Sequence, residues 1–531
     1  MPAPPPVRSP VRSRPSPTAP AADLALIGLV FALRLALPLE PCDDAFIVLA
    51  VVRNALGGFG PHLVPGDAVL STWLWPALVA LPTALGVDPV VALGALGLGA
   101  ELALALLTRR LATALSGSVA AGAFAAAALA THPVLRLSSG WGMETPLVLA
   151  LLAGGFLALE RERTLPLAIC LGLLPWARFD AALAAIVLLG AAFAKDPVKG
   201  RKATAALAVG AAVGLSVFPL HWMLFGTWLP ASVSAKAAAA TGGWWAGAVA
   251  VAAEFGRAAI GESAYWLVAP SVHLALVPLA LVGAWKMARV PGLGRRLAPL
   301  ALWGGLYVAA FALSGREYAR NFPWYFAPPL LLLAVLAAVG AGGWLAAWER
   351  RAGRLAPALA AGLALLVLLA ALPGLGSAFV RVRGSFTAWR ERSYAATATW
   401  LARHGPARSV ASNEIGTLAW FSPPGTRIVD LFGIARGAGE AATPWLELAR
   451  RHRPEAVVTR ADFRYRRELE AADPAGWVWV RAGALDLGLE PALAARLAPH
   501  AEALERLFAE VRLDRAPAFG EAAADIDSAA P

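Results

Sequence analysis

Long apolar runs separated by short charged loops fill the first two-thirds of the chain. They lie at about 24–39, 88–107, 116–133, 145–159, 164–177, 179–194, 203–225, 265–285, 297–314, 322–345 and 355–375. The pattern predicts about eleven transmembrane helices, several of them short for a hydrocarbon core of about 30 Å. Trp73–Gly86 is also apolar, but it is short and broken by Pro76 and Pro82, and it predicts an interfacial or re-entrant helix. Residues 244–262, with Trp244, Trp245, Glu254, Arg257 and Glu262, predict a second helix lying on the surface. After about residue 378 the pattern changes, beginning with Arg381, Arg383, Arg390, Glu391 and Arg392. Strand candidates at 408–411, 427–431, 456–459 and 476–480 then alternate with helix-like runs at 395–403, 443–451 and 491–512, which predicts a small soluble α/β domain over 378–531. Residues 1–21 are Pro-, Ser- and Arg-rich without periodicity and predict a disordered tail. The fold class is thus a polytopic α-helical membrane protein over 22–377, with a first outer loop at 40–87, followed by the α/β domain.

Composition sharpens this picture. With 58% hydrophobic residues, 15% charged and a mean hydropathy of +0.62, an ordinary soluble domain is excluded. Twenty tryptophans suit a protein with many lipid–water interfaces. Cys42 and Cys170 have no metal-ligand spacing and are not expected to pair. The net charge of +11 invites a nucleic-acid reading, but the placement of the charges argues against one. With Trp73–Gly86 non-spanning, alternate loops collect eighteen Lys and Arg on one side, including Arg109, Arg110, Lys195, Lys286 and Arg350, against seven on the other. The positive-inside rule puts the N-terminus in the cytoplasm and the 378–531 domain outside. The first apolar run is then an uncleaved span. The Ala-, Arg- and Gly-rich, Lys-poor usage suggests a high-GC bacterium, hence the inner (plasma) membrane.

In this topology the polar outliers gather at the outer face. They are Asp43, Asp44, Arg53, Asn54 and Asp67, then His132, Arg136 and Glu144, then Arg178 and Asp180, then Lys236, then Arg316, Glu317, Tyr318, Arg320 and Tyr325. Ionisable groups near a membrane are functional candidates. Each has a plainer alternative. Asp43 and Asp44 sit where acids cap a helix starting near Ala45, and Glu144 precedes another helix. Arg178, Lys236 and Arg320 suit phosphate recognition, yet each also suits snorkelling to headgroups. Two Asp and one Glu at one face leave a divalent cation possible, although no spacing demands it.

Six short elements in order add a resemblance. Asp43-Asp44-Ala45-Phe46-Ile47, with Arg53-Asn54, Gly57–Gly60 and Pro65-Gly66-Asp67, resembles the DDAYI opening of the terminal arabinofuranosyltransferase family, which has the GT-C fold. Ser139-Gly140 with Gly142–Leu147 is similar to its SGxETPLF element, and Arg178-Phe179-Asp180 stands at its RPE-like triplet. Gly226–Pro230 with Ala235-Lys236, then Asn413–Gly416, then Asp430–Gly433, are similar to its later elements. Phe46 replaces the usual Tyr, Ser71–Trp75 keeps part of EGYTSPLW, and Ser232–Ser234 replaces Asn-Thr-Tyr. These departures bear on the acceptor side more than on the reaction class.

The resemblance implies an inverting transfer of a pentose or hexose from a polyprenyl-phosphate donor to an extracytoplasmic glycan, lipid or protein acceptor. Such a reaction needs a base for the acceptor hydroxyl and positive charge for the departing phosphate. The Asp pair is implied as the base. Neighbours on a helix point about 100° apart, so Asp44 is expected to be the base and Asp43 its orienting or metal-contacting partner. Glu144 is expected in the catalytic pocket. Arg53, Asn54, Arg178, Asp180, Lys236, Tyr318, Arg320 and Tyr325 are expected around the substrates. A transporter of lipid-linked sugars would need midplane polar groups and an internal repeat, and a membrane scaffold would leave the outer acids incidental.

Overall fold

The computed structural model of the chain describes residues 19–37, 39–63, 70–195, 200–232, 244–261, 272–314, 322–382, 389–436, 440, 443–461, 464–514 and 517. Helix α1 (Ala19–Ala36) takes up the first apolar run. It is followed by α2 (Asp43–Leu56) and α3 (Leu74–Ala84). At 11 residues α3 is roughly 16 Å long, too short to span. Helix α4 (Pro89–Ser116) begins on Asp88, whose carboxylate accepts from Val90 N and Val91 N, and ends at a left-handed Gly117. The next run is broken into α5 (Val119–Ala130) and α6 (Pro133–Gly140), bent by 54° where Pro133 withdraws a backbone donor. Then come α7 (Thr145–Glu160), α8 (Thr164–Ala177), α9 (Ala182–Lys195), α10 (Arg201–Leu215), α11 (Val217–Phe225) and α12 (Trp244–Ala259). Helices α13 (Leu276–Arg289), α14 (Leu293–Leu313), α15 (Leu330–Ala352) and α16 (Ala356–Val382) complete the apolar part.

Among the described residues four segments are long and apolar enough to cross a membrane: Pro89–Ser116, Arg201–Phe225, Leu293–Leu313 and Leu330–Gly376. The bent α5–α6 pair makes a fifth. Length alone therefore supports fewer spans than the eleven expected. Helices α7 and α8 hold their apolar runs in 16 and 14 residues, roughly 24 and 21 Å. Leu330–Gly376 holds two of the expected runs, divided by the 3₁₀ turn Gly353–Leu355. Large apolar side chains such as Ile186, Leu281 and Leu366 face outward, as lipid contact requires. Inside, the alanines of α5 are buried, and their small side chains let α4, α15 and α16 pack closely around it. Glu101, buried midway along α4, pairs with Arg136 at 3.0 Å and Arg34 at 3.5 Å, fixing α1 and α6 to α4.

The C-terminal part is a mixed five-stranded sheet of order β2-β1-β3-β5-β4. Strand β1 (Ser409–Ser412) runs parallel to β2 (Arg427–Asp430) and to β3 (Ala456–Arg460). Strand β5 (Leu485–Leu489) is antiparallel to both β3 and β4 (Val478–Ala482). Helices α17 (Arg392–His404), α18 (Gly416–Phe421), α19 (Trp445–His452), α20 (Tyr465–Ala472), α21 (Pro491–Leu497) and α22 (Ala501–Glu510) cover it. Alternation along the strands splits the packing. Ala411, Val429 and Val457 pack with Leu448's neighbour Ala449 and with Leu469 on one face. Val410, Val458, Leu485 and Leu487 face the other way, into a core that continues through Tyr394, Trp400 and Trp420 to Ala45–Val52 of α2, and on to Trp75, Trp141 and Met143. One apolar core thus joins the sheet to the helices at the mouth of the membrane part.

Candidate functional site

Helix α2 is buried on almost every side, and its two leading acids part company. Cys42 holds the N-cap position in extended conformation and makes no side-chain capping bond. Asp44 turns into a cavity of about 1160 Å³ of empty space, counting its open mouth. Asp43 turns toward α18, where its Oδ1 accepts from Thr417 N at 2.8 Å. The partner of Asp43 thus lies on another helix and not on its own.

The loop 140–144 reaches the same cavity because α2 and α3 are hydrogen-bonded to it. Glu40 N donates to Gly140 O, Cys42 N to Trp141 O and Trp75 Nε1 to Gly142 O, at 2.8, 3.2 and 3.1 Å. Gly142 has φ +80°, and a Cβ there would meet Leu93 at 2.9 Å and Ala45 at 3.2 Å. Glu144 occupies the N-cap position of α7 yet makes no capping bond into it. Its Oε1 lies 3.7 Å from Arg178 Nε instead. Burial is the main force on Glu144 and pushes its carboxyl up to about 7, with Arg178 pulling the other way.

Arg178 enters between α8 and α9, where extended backbone breaks the helical path. Its Nε and Nη2 donate to the two oxygens of Asp180 at 3.0 and 2.5 Å, and its Nη1 donates to Trp324 O at 3.3 Å. The Tyr325 ring lies 5.2 Å from the guanidinium carbon. Burial opposes the charge on Arg178, but Asp180 and Glu144 outweigh it and hold the guanidinium above its ordinary value. Tyr307 of α14 places its hydroxyl 3.1 Å from both Asp180 Oδ2 and Tyr325 O, donating to one of them at a time. The group can hold an anion beside an acid that changes charge near neutral pH.

Asp44, Glu144, Arg178, Asp180 and Tyr325 therefore line one cavity. Arg53 and Asn54 do not line it. Arg53 lies one face further round α2, where Nη1 donates to Trp420 O and Ser422 O at 2.9 and 3.0 Å and Nη2 to Ala419 O at 3.1 Å. Asn54 donates to His62 O at 2.9 Å. Both contacts are backbone latches, formed because α2 is sandwiched and offers this face to α18 and to its own following loop. Lys236, Tyr318 and Arg320 lie outside the described residues, as does Asp67. Asp43, Asp44 and Glu144 do not converge as one ligand set, because Asp43 is turned to Thr417 and Glu144 to Arg178. Among the described residues no group of three or more His, Cys, Asp and Glu is placed to hold a metal ion.

Two residues at this site went unread in the sequence. Tyr307 is one of only six tyrosines and interrupts an apolar run, a signal that was available. Ile434 comes from the loop after β2 and lines the cavity from the C-terminal side. That loop is rigid, since Asp430 accepts from Phe432 N, Gly433 N and Ala435 N at 2.7–2.8 Å. Beside Asp43, Arg390 bonds Glu391 and, at 3.2 Å, Glu414. Burial, reinforced by Asp43 and Glu391 against the pull of Arg390, pushes Glu414 up to about 8.

No protein-family model matches the chain, and no curated protein matches it. Among solved structures it is similar to the crystal structure of ArnT from Cupriavidus metallidurans bound to undecaprenyl phosphate. The TM-score is 0.55 at 14% identity, over 88% of this chain and 97% of that one. The same protein in the apo state gives a TM-score of 0.49, again at 14% identity. The first likeness shows the fold, which is the GT-C architecture expected from the sequence. With its apolar helices, the chain is an integral membrane protein.

Proposed function

We propose that the chain is a membrane glycosyltransferase that moves a pentose or hexose from a polyprenyl-phosphate donor to an outer-face glycan, lipid or protein. The observation that carries this is the convergence of Asp44, Glu144, Arg178, Asp180 and Tyr325, from four separate stretches, on one cavity beside apolar helices. The donor class is supported by likeness to a protein crystallised with undecaprenyl phosphate. The six elements that resemble those of the terminal arabinofuranosyltransferases support the same reaction class.

In the proposed reaction Asp44 takes the proton of the acceptor hydroxyl as its oxygen bonds to the anomeric carbon. The bond from that carbon to the phosphate oxygen breaks, and the phosphate leaves with the electron pair, giving inversion in a single displacement. Arg178, with its Tyr325 platform, offers the leaving phosphate a buried positive charge. Asp180 and Tyr307 hold the guanidinium in place. Glu144 sets how much of that charge is available, because its anion competes for Arg178. Ile434 brings the 378–531 domain to the acceptor side. The distribution of Lys and Arg supports a cytoplasmic N-terminus and an outward-facing cavity in a bacterial inner membrane.

The test is sugar transfer in nanodiscs from a panel of polyprenyl-phosphate sugars, comparing the wild type with Asp44→Asn. Transfer by the wild type, with a loss of about 100-fold or more in a folded variant that still binds donor, is expected for a lost general base. Equal rates in both proteins would remove Asp44 from the role. No transfer from any donor would return the transporter and scaffold readings to the front.

A further inference from the structure

Asp43 and Asp44 are adjacent in sequence, yet only one reaches the cavity. The other is spent on a helix nearly four hundred residues away. Helix α18 has Ile415 at its N-cap position, a side chain with no oxygen to accept the orphan donors of the first turn. Asp43 supplies the missing acceptor from α2, through the 2.8 Å bond from Thr417 N. At the far end Arg53 takes three carbonyls of the 419–422 segment, and its guanidinium carbon lies 5.5 Å from the Trp420 ring centroid. Between these ends Phe46 meets Phe421 edge-on at 5.6 Å. Positions 43, 46, 50 and 53 follow helical spacing, so this is one stripe of α2. Gly416 brings the two backbones together. A Cβ at this position would stand 1.9 Å from Asp43 O and 2.8 Å from Ile47 Cγ1, a contact that only glycine permits.

A helix held along one stripe cannot rotate about its own axis. Asp44 sits about 100° round from Asp43, so the bonds that fix Asp43 also fix the direction of Asp44. We propose that Asp43, Gly416 and Thr417 are positioning residues, through which the C-terminal α/β part sets the orientation of Asp44 toward the acceptor. Asp43 then acts through the hydrogen bond it accepts and not through its charge. This inference rests on Asp44 being the base.

The two possibilities for Asp43 separate cleanly. Asparagine keeps an oxygen that can accept from Thr417 N but cannot take up a proton or supply the negative charge of a carboxylate. The full-length protein in nanodiscs is assayed as wild type, Asp44→Asn, Asp43→Asn, Asp43→Ala and Gly416→Ala, measuring kcat, donor Kd and the pH–rate profile. We expect Asp43→Asn to keep kcat within about threefold of the wild type. Asp43→Ala and Gly416→Ala should lose about 10- to 100-fold in kcat, the scale of a misplacement near 1 Å. Donor Kd should be unchanged in all three, and Asp43→Asn and Asp43→Ala, which lose the same charge, should share one midpoint of the pH–rate profile while differing in kcat. A fall in Asp43→Asn as deep as in Asp44→Asn would overturn the inference, as would wild-type kcat in both Asp43→Ala and Gly416→Ala. If Asp43→Ala does not fold, Asp43→Asn and Gly416→Ala decide the question between them. Failure of the underlying reading looks different: the wild type makes no transfer, or Asp44→Asn matches it.

Discussion

Glu144 offers a prediction whose size follows from the geometry. Its carboxyl is pushed up to about 7 by burial, and its Oε1 lies 3.7 Å from Arg178 Nε. A donor phosphate attracted to Arg178 meets an anionic Glu144 as a like charge at about 5 Å. At an effective dielectric near 20 this costs about 3 kcal/mol, or roughly two orders of magnitude in affinity. The groups facing Glu144 are Arg178, Asp180 and Asp44, and of these only Arg178 favours its anion. Donor binding withdraws part of that favour, so the Glu144 carboxyl should rise by about two further units in the complex. The sign follows: affinity is full below about 7, falls by up to tenfold per pH unit above it, and levels off near 9. Donor Kd should therefore rise by about 100-fold across that window in the wild type and stay flat in Glu144→Gln. The assay is equilibrium binding of a polyprenyl-phosphoryl sugar in nanodiscs, since a phosphodiester keeps a fixed charge across the range. A flat wild-type curve, or an equal slope in Glu144→Gln, would refute the reasoning.

Glu414 carries a stability prediction. Its buried carboxyl is pushed up to about 8 from an ordinary 4.5, so between these values the native state holds a proton that the unfolded chain has lost. Stability from this group is full below 4.5 and declines as the pH rises toward 8. The melting temperature should be higher near the acid end of that window, and Glu414→Gln should flatten the dependence; an unchanged dependence in the variant would exclude Glu414 as its source. Ile434→Ala removes apolar atoms from the C-terminal wall of the cavity. If they touch acceptor, KM for acceptor should rise by about 10-fold or more, with donor Kd unchanged; a shift in donor Kd alone would place Ile434 on the wrong side of the site.

The sequence marked the cavity well because its chemistry is local. An Asp at the start of a helix, a Glu after Gly-Met and an Arg-Phe-Asp triplet between apolar runs each stand out against their neighbours. What it could not convey was direction. Arg53 and Asn54 carry the same kind of signal as Arg178, and only the packing of α18 against α2 makes them latches. Strand β5 was missed for a related reason: Leu485–Leu489 holds Asp486, whose charge is met by Arg466 and Arg481 from other elements. The span count depends on helix length as well as on hydropathy. Apolar runs such as α8 look like membrane crossings, but helix length, which hydropathy does not measure, leaves them short. Gly416 stands in a short sequence motif, and its reason, a backbone contact with Asp43, belongs to tertiary structure alone.

The bond between Asp43 and Thr417 joins residues 374 positions apart, and it has a consequence for how the protein is made. A ribosome adding about 5 to 20 residues per second needs roughly 20 to 75 seconds between the two. For that interval α2 is complete while the partner for its Asp43–Arg53 stripe does not yet exist. The nascent chain must shelter Phe46, Ile47 and Ala50 against lipid or a chaperone until the last third arrives. A chain ending before residue 416 would lack the Thr417 bond to Asp43, the close approach at Gly416 and the carbonyls that Arg53 holds.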